Sequence, residues 1–148
     1  MSHSFELPQV FRAVRTHMQE GQTLSKLEHL TIQDLSPGEV VVRNRWAGVN
    51  FKDCLSLHGK AKIITSFPRI AGIEAAGEVV QSEVADFRPG QSVFVHGFQT
   101  GIQFDGGFSE YVRVPAAHLH ALPEGLTHQQ AATLGVPAFT VAMALERF

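Results

Sequence analysis

Glycine and proline cut this chain into short pieces. Turn signals stand at Glu20-Gly21, Ser36-Pro37-Gly38, Gly48, Gly59, Gly72, Gly77, Pro89-Gly90, Gly97, Gly101, Gly106-Gly107, Pro115 and Pro123. Glycine supplies positive φ and proline fixes φ, so each is a point where a regular element stops. Between them lie runs rich in β-branched and aromatic residues: Phe11–Met18, Lys26–Ile32, Glu39–Ala47, Ala75–Gln81, Ser92–His96, Phe108–Val114 and Leu119–Leu122. Seven short runs with a turn every ten residues or so predict a barrel or a sandwich.

Two stretches leave this rhythm. Asn50–Leu57 places Phe51, Cys54, Leu55 and Leu57 at near-helical spacing, with Gly59 as a stop. The second begins at Thr127-His128-Gln129-Gln130, a Ser/Thr-x-x-Glu/Gln capping box. Gly135-Val136-Pro137 ends that short helix. Pro137 can open another over Ala138–Arg147, since a first-turn residue needs no N–H. Ala138, Val141, Ala142 and Leu145 form one apolar stripe there, while Phe139, Met143 and Phe148 add apolar surface elsewhere. A helix apolar nearly all round expects cover on both sides. The β-runs can supply one; a further domain or a partner subunit is expected on the other.

At 148 residues the chain suits one domain. A net charge of −2 argues against a nucleic-acid or anionic-membrane surface, since both need a basic excess. Cys54 is the single cysteine, so an internal disulfide and zinc sites needing two or more thiolates are excluded. Met1–Arg15 lacks the apolar core of a leader, and no run reaches the roughly 18 apolar residues of a membrane span. A reducing cytoplasm is the expected compartment.

Asn50 and Asp53 stand where the Glu39–Ala47 run ends and the first helix starts. They are three apart and share a face. They read either as a polar pair that orients a substrate or relays a proton, or as a helix cap with an acid near the positive end of the dipole. The two readings are compatible. Lys60-x-Lys62 reads as a solvated loop, or as a hold on a phosphate or carboxylate. His58 lies beside the Asn50 helix, lining the same cleft or capping its C-terminus. His118-x-His120, placed on a strand, would point both rings one way, but no further metal ligand is indicated by spacing. Gly72-Ile73-Glu74-Ala75-Ala76-Gly77 allows close backbone approach at a strand start. No Gly-x-Gly-x-x-Gly turn, P-loop or Gly-x-Ser-x-Gly elbow occurs.

Taken in order, several segments resemble the medium-chain dehydrogenase/reductase superfamily. They are Gly48–Asp53, Phe67–Val79, Phe87–Val93, Gly106–Tyr111 and Ala131–Gly135. The resemblance implies a mainly β fold: a GroES-like, partly open β-barrel with short helices. It would comprise residues 1–126 as the catalytic domain and residues 127–148 as connecting helices towards a Rossmann domain. The Asn50–Asp53 segment followed by Gly59–Ile63 is similar to the zinc-free branch, labelled quinone oxidoreductase-like and including acryloyl-CoA reductases. Zinc alcohol dehydrogenases carry a Cys near Asn50 and a His where Ile73 stands, so no metal site is expected.

The resemblance also implies NADPH-dependent reduction of an activated C=C bond in an enoyl thioester, enone or quinone. On it, Asn50 and Asp53 are catalytic and Asn50 and Thr140 contact the cofactor; Phe51 beside them, with His58, Lys60 and Lys62 from the reading of the cleft and loop above, is expected to contact a small-molecule substrate. Phe51 replaces a Tyr of the branch and lacks its hydroxyl. Gly135-Val136-Pro137 replaces a segment richer in Gly and Thr. A Rossmann domain needs βαβ units of about 30 residues each, and none is encoded here. The expected reading is therefore a truncated enzyme, inactive as the 148-residue chain alone, with Ala138–Phe148 covered by the absent domain or by a second copy in a homo-oligomer. The alternative is a non-catalytic GroES-like interaction module or half of a split enzyme.

Overall fold

The computed structural model describes residues 6–147. The first five residues of the expected domain, and of the segment read as lacking a leader, lie outside the described residues. So does Phe148 at the end of the apolar helix. The described chain is mainly β, with eight strands: β1 Phe11–Gln19, β2 Gln22–Leu30, β3 Val40–Trp46, β4 Arg69–Ile70, β5 Glu74–Ser82, β6 Ser92–His96, β7 Tyr111–Val114 and β8 His120–Ala121. Two α-helices, α1 Phe51–Leu57 and α2 His128–Arg147, join them.

The strands form a three-stranded sheet, β2-β1-β4, and a five-stranded sheet, β7-β3-β5-β6-β8. All pairings between strands are antiparallel. The β1–β2 hairpin turns through Glu20-Gly21, so that Gln19 pairs with Gln22. β3 is the shared wall of two cores. Val40 and Val42 face Ala75, Val79, Val93, Val95, Val112 and Val114. Val41 faces the other way, towards Phe11, Leu30, Ile32, Leu35, Ile70 and Val80. A strand buried on both faces reads as a continuous apolar run, which is why Val40-Val41-Val42 does not alternate. In the β3–β5 pair Val41 meets Gln81 and Val42 meets Val79, so the register skips Val80. That bulge lets the consecutive Val79 and Val80 serve different cores.

The structure differs from the sequence reading in four places. β4 comes from Arg69–Ile70, a pairing too short to leave a periodic signal. The expected run from Phe108 becomes strand only at Tyr111. His118 sits in a 3-10 turn over Ala116–His118, and only His120 is on a strand. α1 is inverted relative to expectation: Asp53 and Ser56 are its buried residues, while Phe51 and Cys54 are exposed. The reason is local. Asp53 reaches inward to the Ile73 N–H and Ser25 Oγ donates to the Leu57 carbonyl, so α1 is seated by polar contacts, while Ser56 Oγ turns back to the Lys52 carbonyl within the helix. Among the described residues, no helix is long and apolar enough to cross a membrane.

Asp105 ties the two sheets together. Its Oδ2 accepts from the Ser36 N–H at 2.8 Å, just ahead of β3, and its Oδ1 accepts from Ile70 N–H at 2.9 Å on β4. Arg69 Nη1 adds a 3.3 Å ion pair. Asp105 is buried, and deleting a buried acceptor strands its donors. Asp105→Ala is therefore expected to cost at least about 3 kcal/mol, read as a lowered midpoint in urea unfolding. An unchanged midpoint would show that the sheets are joined by apolar packing alone.

Candidate functional site

β3 ends at Trp46, and the chain crosses Ala47-Gly48-Val49 to reach Asn50, the N-cap of α1. Asn50 is extended, with φ −109° and ψ 158°. Asp53 Oδ2 accepts from the Asn50 N–H at 2.7 Å, and Asp53 Oδ1 accepts from the Ile73 N–H at 3.0 Å. Asp53 is 0% exposed. Its two oxygens thus tie the start of α1 to the residue that precedes β5, and they satisfy donors that would otherwise be orphaned.

The next residue, Glu74, is the first of β5 and is 4% exposed. Its Oε1 accepts from Asn50 Nδ2 at 2.9 Å, and its Oε2 accepts from the Val136 N–H at 2.8 Å. That backbone donor is free because Gly135 breaks α2, with φ 43° and ψ −154°, a conformation open in practice only to glycine. Gly48 and Gly135 both face the carboxyl group, and a Cβ on either would collide with it. Thr127 and Gln130 cap the first part of α2 through reciprocal bonds, as the sequence predicts. Pro137 follows the break and opens the second part.

An open cleft of about 310 Å³ lies where these elements meet. Trp46, Val49 and Asn50 form one wall, Glu74 the floor, and Thr133 and Pro137 of α2 the other wall. A second, apolar hollow of about 280 Å³ lies behind Glu74, between the five-stranded sheet and α2, against Phe94, Leu126, Ala138 and Phe139. The His96 ring stands 5.0 Å from the Phe139 ring there, centroid to centroid, and 6.3 Å from the His120 ring. Burial pushes the His96 imidazole below its ordinary value; His120 adds to the shift and Glu74 opposes it.

The expected site residues do not all converge. Asn50 and Asp53 are brought together, with Asn50 at the cleft and Asp53 sealed beneath it. Phe51 is 78% exposed on the first turn of α1. His58 caps the far end of α1 through its backbone N–H, which donates to the Cys54 carbonyl at 3.2 Å. Lys60 and Lys62 border a separate small cavity of about 80 Å³ with Met18, Thr23, Ser56 and Phe67. Thr140 Oγ1 donates to the Val136 carbonyl at 3.0 Å and borders a depression with Met143, Ala144 and Arg147. The residue that sequence reasoning missed is Glu74. The signal for it was a lone acid among glycines and alanines, a setting that demands partners for a buried carboxyl. Among the described residues, no group of three or more His, Cys, Asp or Glu could hold a metal ion. Val141 and Leu145 of the apolar stripe of α2 are exposed, and so is Met143 outside it.

Two measurements check this geometry. Gly135→Ala should destabilise the protein by about 3 kcal/mol, combining backbone strain with the collision at Glu74. Thermal melting would read it, and a neutral result would contradict the broken helix. His96 binds its proton less readily in the folded state, so the unfolded chain takes up protons first as pH falls. Its contribution is therefore present above the ordinary imidazole value of about 6.5 and is lost as pH drops through and below it. His96→Gln should flatten that part of the stability–pH curve.

The comparisons agree with this architecture. Residues 36–124 match the family model described as the alcohol dehydrogenase GroES-like domain. An Escherichia coli protein named "Probable acrylyl-CoA reductase AcuI" is 39% identical over 138 residues, covering 91% of this chain and 43% of that protein. The crystal structure of the Salmonella enterica yhdH oxidoreductase in complex with NADP is similar with a TM-score of 0.88 and 40% identity, over 92% of this chain and 43% of that one. The Bacillus subtilis protein yhfP, solved with NAD bound, gives 0.89 and 31% over 95% and 43%. The chain thus spans less than half the length of these relatives.

Proposed function

The chain belongs to the alcohol dehydrogenase GroES-like domain family, as the N-terminal part of a medium-chain dehydrogenase/reductase, and from that we propose that it is the substrate-side domain of a zinc-free, NAD(P)H-dependent reductase of activated C=C bonds. The observation that carries the reading is the Asn50 amide, held at the wall of an open cleft by a buried carboxyl group. Reducing an enone or enoyl thioester places hydride on the β-carbon and a proton on the α-carbon. Negative charge then develops on the carbonyl oxygen, and a fixed donor beside it lowers the barrier. One N–H of Asn50 is committed to Glu74; the other is offered to that oxygen.

NADPH, when bound, supplies the hydride. The cleft suits the nicotinamide end alone: Trp46 and Val49 give apolar surface and Asn50 gives an amide partner. The 148 residues hold no Gly-x-Gly-x-x-Gly turn for the pyrophosphate, so the nucleotide half comes from residues or a chain outside them. Asp53 acts through Asn50, by fixing its backbone. Thr140, beyond the break in α2, is assigned to the cofactor on the resemblance; its hydroxyl bonds the Val136 carbonyl. Phe51 offers exposed apolar surface near the mouth. His58 caps the far end of α1, about 10 Å along the helix from Asn50, and Lys60 and Lys62 follow in the turn beyond it, at the separate small cavity, so they could meet only the distal, anionic part of a long thioester substrate.

The full protein is expected to oxidise NADPH in the presence of an acryloyl thioester or an enone, and to do so after treatment with a zinc chelator. Asn50→Ala should lower kcat about 100-fold, the cost of one lost donor. The 148-residue chain alone should show no turnover. Absence of turnover by the full protein with thioester, enone and quinone alike would leave the interaction-module reading, which rests on the exposed face of α2.

A further inference from the structure

We infer that Glu74 is a positioning residue that sets the polarity of the cleft wall, by dictating which end of the Asn50 amide faces the substrate. This deepens the proposed reductase reading and rests on it for its catalytic consequence, but not for its structural one. An asparagine amide has a donor end and an acceptor end of nearly the same shape, and only its neighbours decide between them. An ionised carboxyl can only accept. Glu74 therefore receives the Nδ2 end of Asn50, at 2.9 Å. Its second oxygen cannot release to relax that choice, because the Val136 N–H holds it at 2.8 Å. Val136 is a backbone donor after a helix break and has no alternative orientation to offer.

The site is closed around this arrangement. Glu74 is 4% exposed, and the bare faces of Gly48 and Gly135 press on its carboxyl group. The carboxyl therefore has no other place to go. One residue thus fixes the amide on one cleft wall and the start of the second part of α2 on the other.

Glu74→Gln tests this arrangement. Glutamine has the same shape but one oxygen and one NH₂. Val136 claims the oxygen, so the NH₂ meets Asn50, and two donors face each other unless Asn50 turns its amide over. The variant should keep the fold while presenting the Asn50 carbonyl, rather than its NH₂, in the wrong sense to the cleft. In protein with nitrogen-labelled asparagine, the Asn50 side-chain NH₂ protons should show one proton protected from exchange in the wild type. That protection should be lost in Glu74→Gln. The kcat of the full protein should fall about 100-fold, with KM for NADPH little changed.

The double variant Asn50→Asp with Glu74→Gln reverses the donor and acceptor. It should recover the thermal stability of the wild type without recovering kcat. A purely space-filling Glu74 would leave the amide protection and kcat of Glu74→Gln unchanged, and either result overturns the inference. If Glu74→Gln does not fold, the double variant must restore folding; its failure to do so overturns the inference as well. Loss of amide protection in a protein that reduces none of the acceptors would uphold the Glu74 assignment and sink the reductase reading instead.

Discussion

The Glu74 carboxyl group is the contact on which the cleft depends. Burying an ionisable group without partners costs several kcal/mol, so it persists only where each oxygen is answered. Here one oxygen is answered by the Asn50 side chain and the other by the Val136 backbone. Those donors lie 86 residues apart, on opposite walls of one opening. The sequence around each is shaped to make them available. Asn50 interrupts a strand-to-helix connection as an N-cap, and Gly135 interrupts a helix so that the following N–H points outward from the ladder. Gly48 and Gly135 then leave the volume that the carboxyl fills. The opening is a polar seam between a barrel and a helix, closed at its floor by a single acid.

The two cores explain why that seam is where it is. β3 divides the valine-rich core of the five-stranded sheet from the Phe11, Leu30 and Ile70 core of the smaller sheet. It can be apolar on both faces only as far as Val42. Beyond it the strand becomes Arg43-Asn44-Arg45-Trp46, and a second register shift between Asn44 and Trp46 marks its departure from the sheet. The chain leaves the packed region there and enters the loop that carries Asn50. Asp53 then anchors this exit to Ile73, one residue before Glu74. The two acids divide the labour: Asp53 holds backbone to backbone, and Glu74 holds a side chain to a helix.

Much of this was legible in the sequence because it was written in residues with narrow conformational choices. The Glu20-Gly21 hairpin, the Thr127–Gln130 cap and the break at Gly135-Val136-Pro137 all follow from glycine, proline and capping chemistry, and the structure places each as read. The resemblance to medium-chain dehydrogenase/reductases supplied the architecture. What periodicity could not show was burial that runs against hydrophobicity. The spacing of Phe51, Cys54, Leu55 and Leu57 predicts an apolar face on α1, yet its buried residues are Asp53 and Ser56. Glu74 escaped for the same reason. Its importance comes from donors far along the chain, and no local pattern records those.

The second part of α2 joins the cleft to an exposed apolar surface. It is exposed at Val141, Met143 and Leu145, and it meets the barrel through the Glu74–Val136 bond, through Phe139 against His96, and through Ala138 and Ala142 along the apolar hollow. Among these contacts, the bond to Glu74 is the directional one. The ring contact is apolar and tolerant of small rotations, whereas a buried carboxyl bonded at both oxygens is not. The start of this part of the helix is therefore held by the same group that receives the Asn50 amide. A domain or subunit that packed over Val141 and Leu145 would meet a surface already aligned with the cleft. The cleft wall and the start of this helix cannot separate without breaking a bond to Glu74.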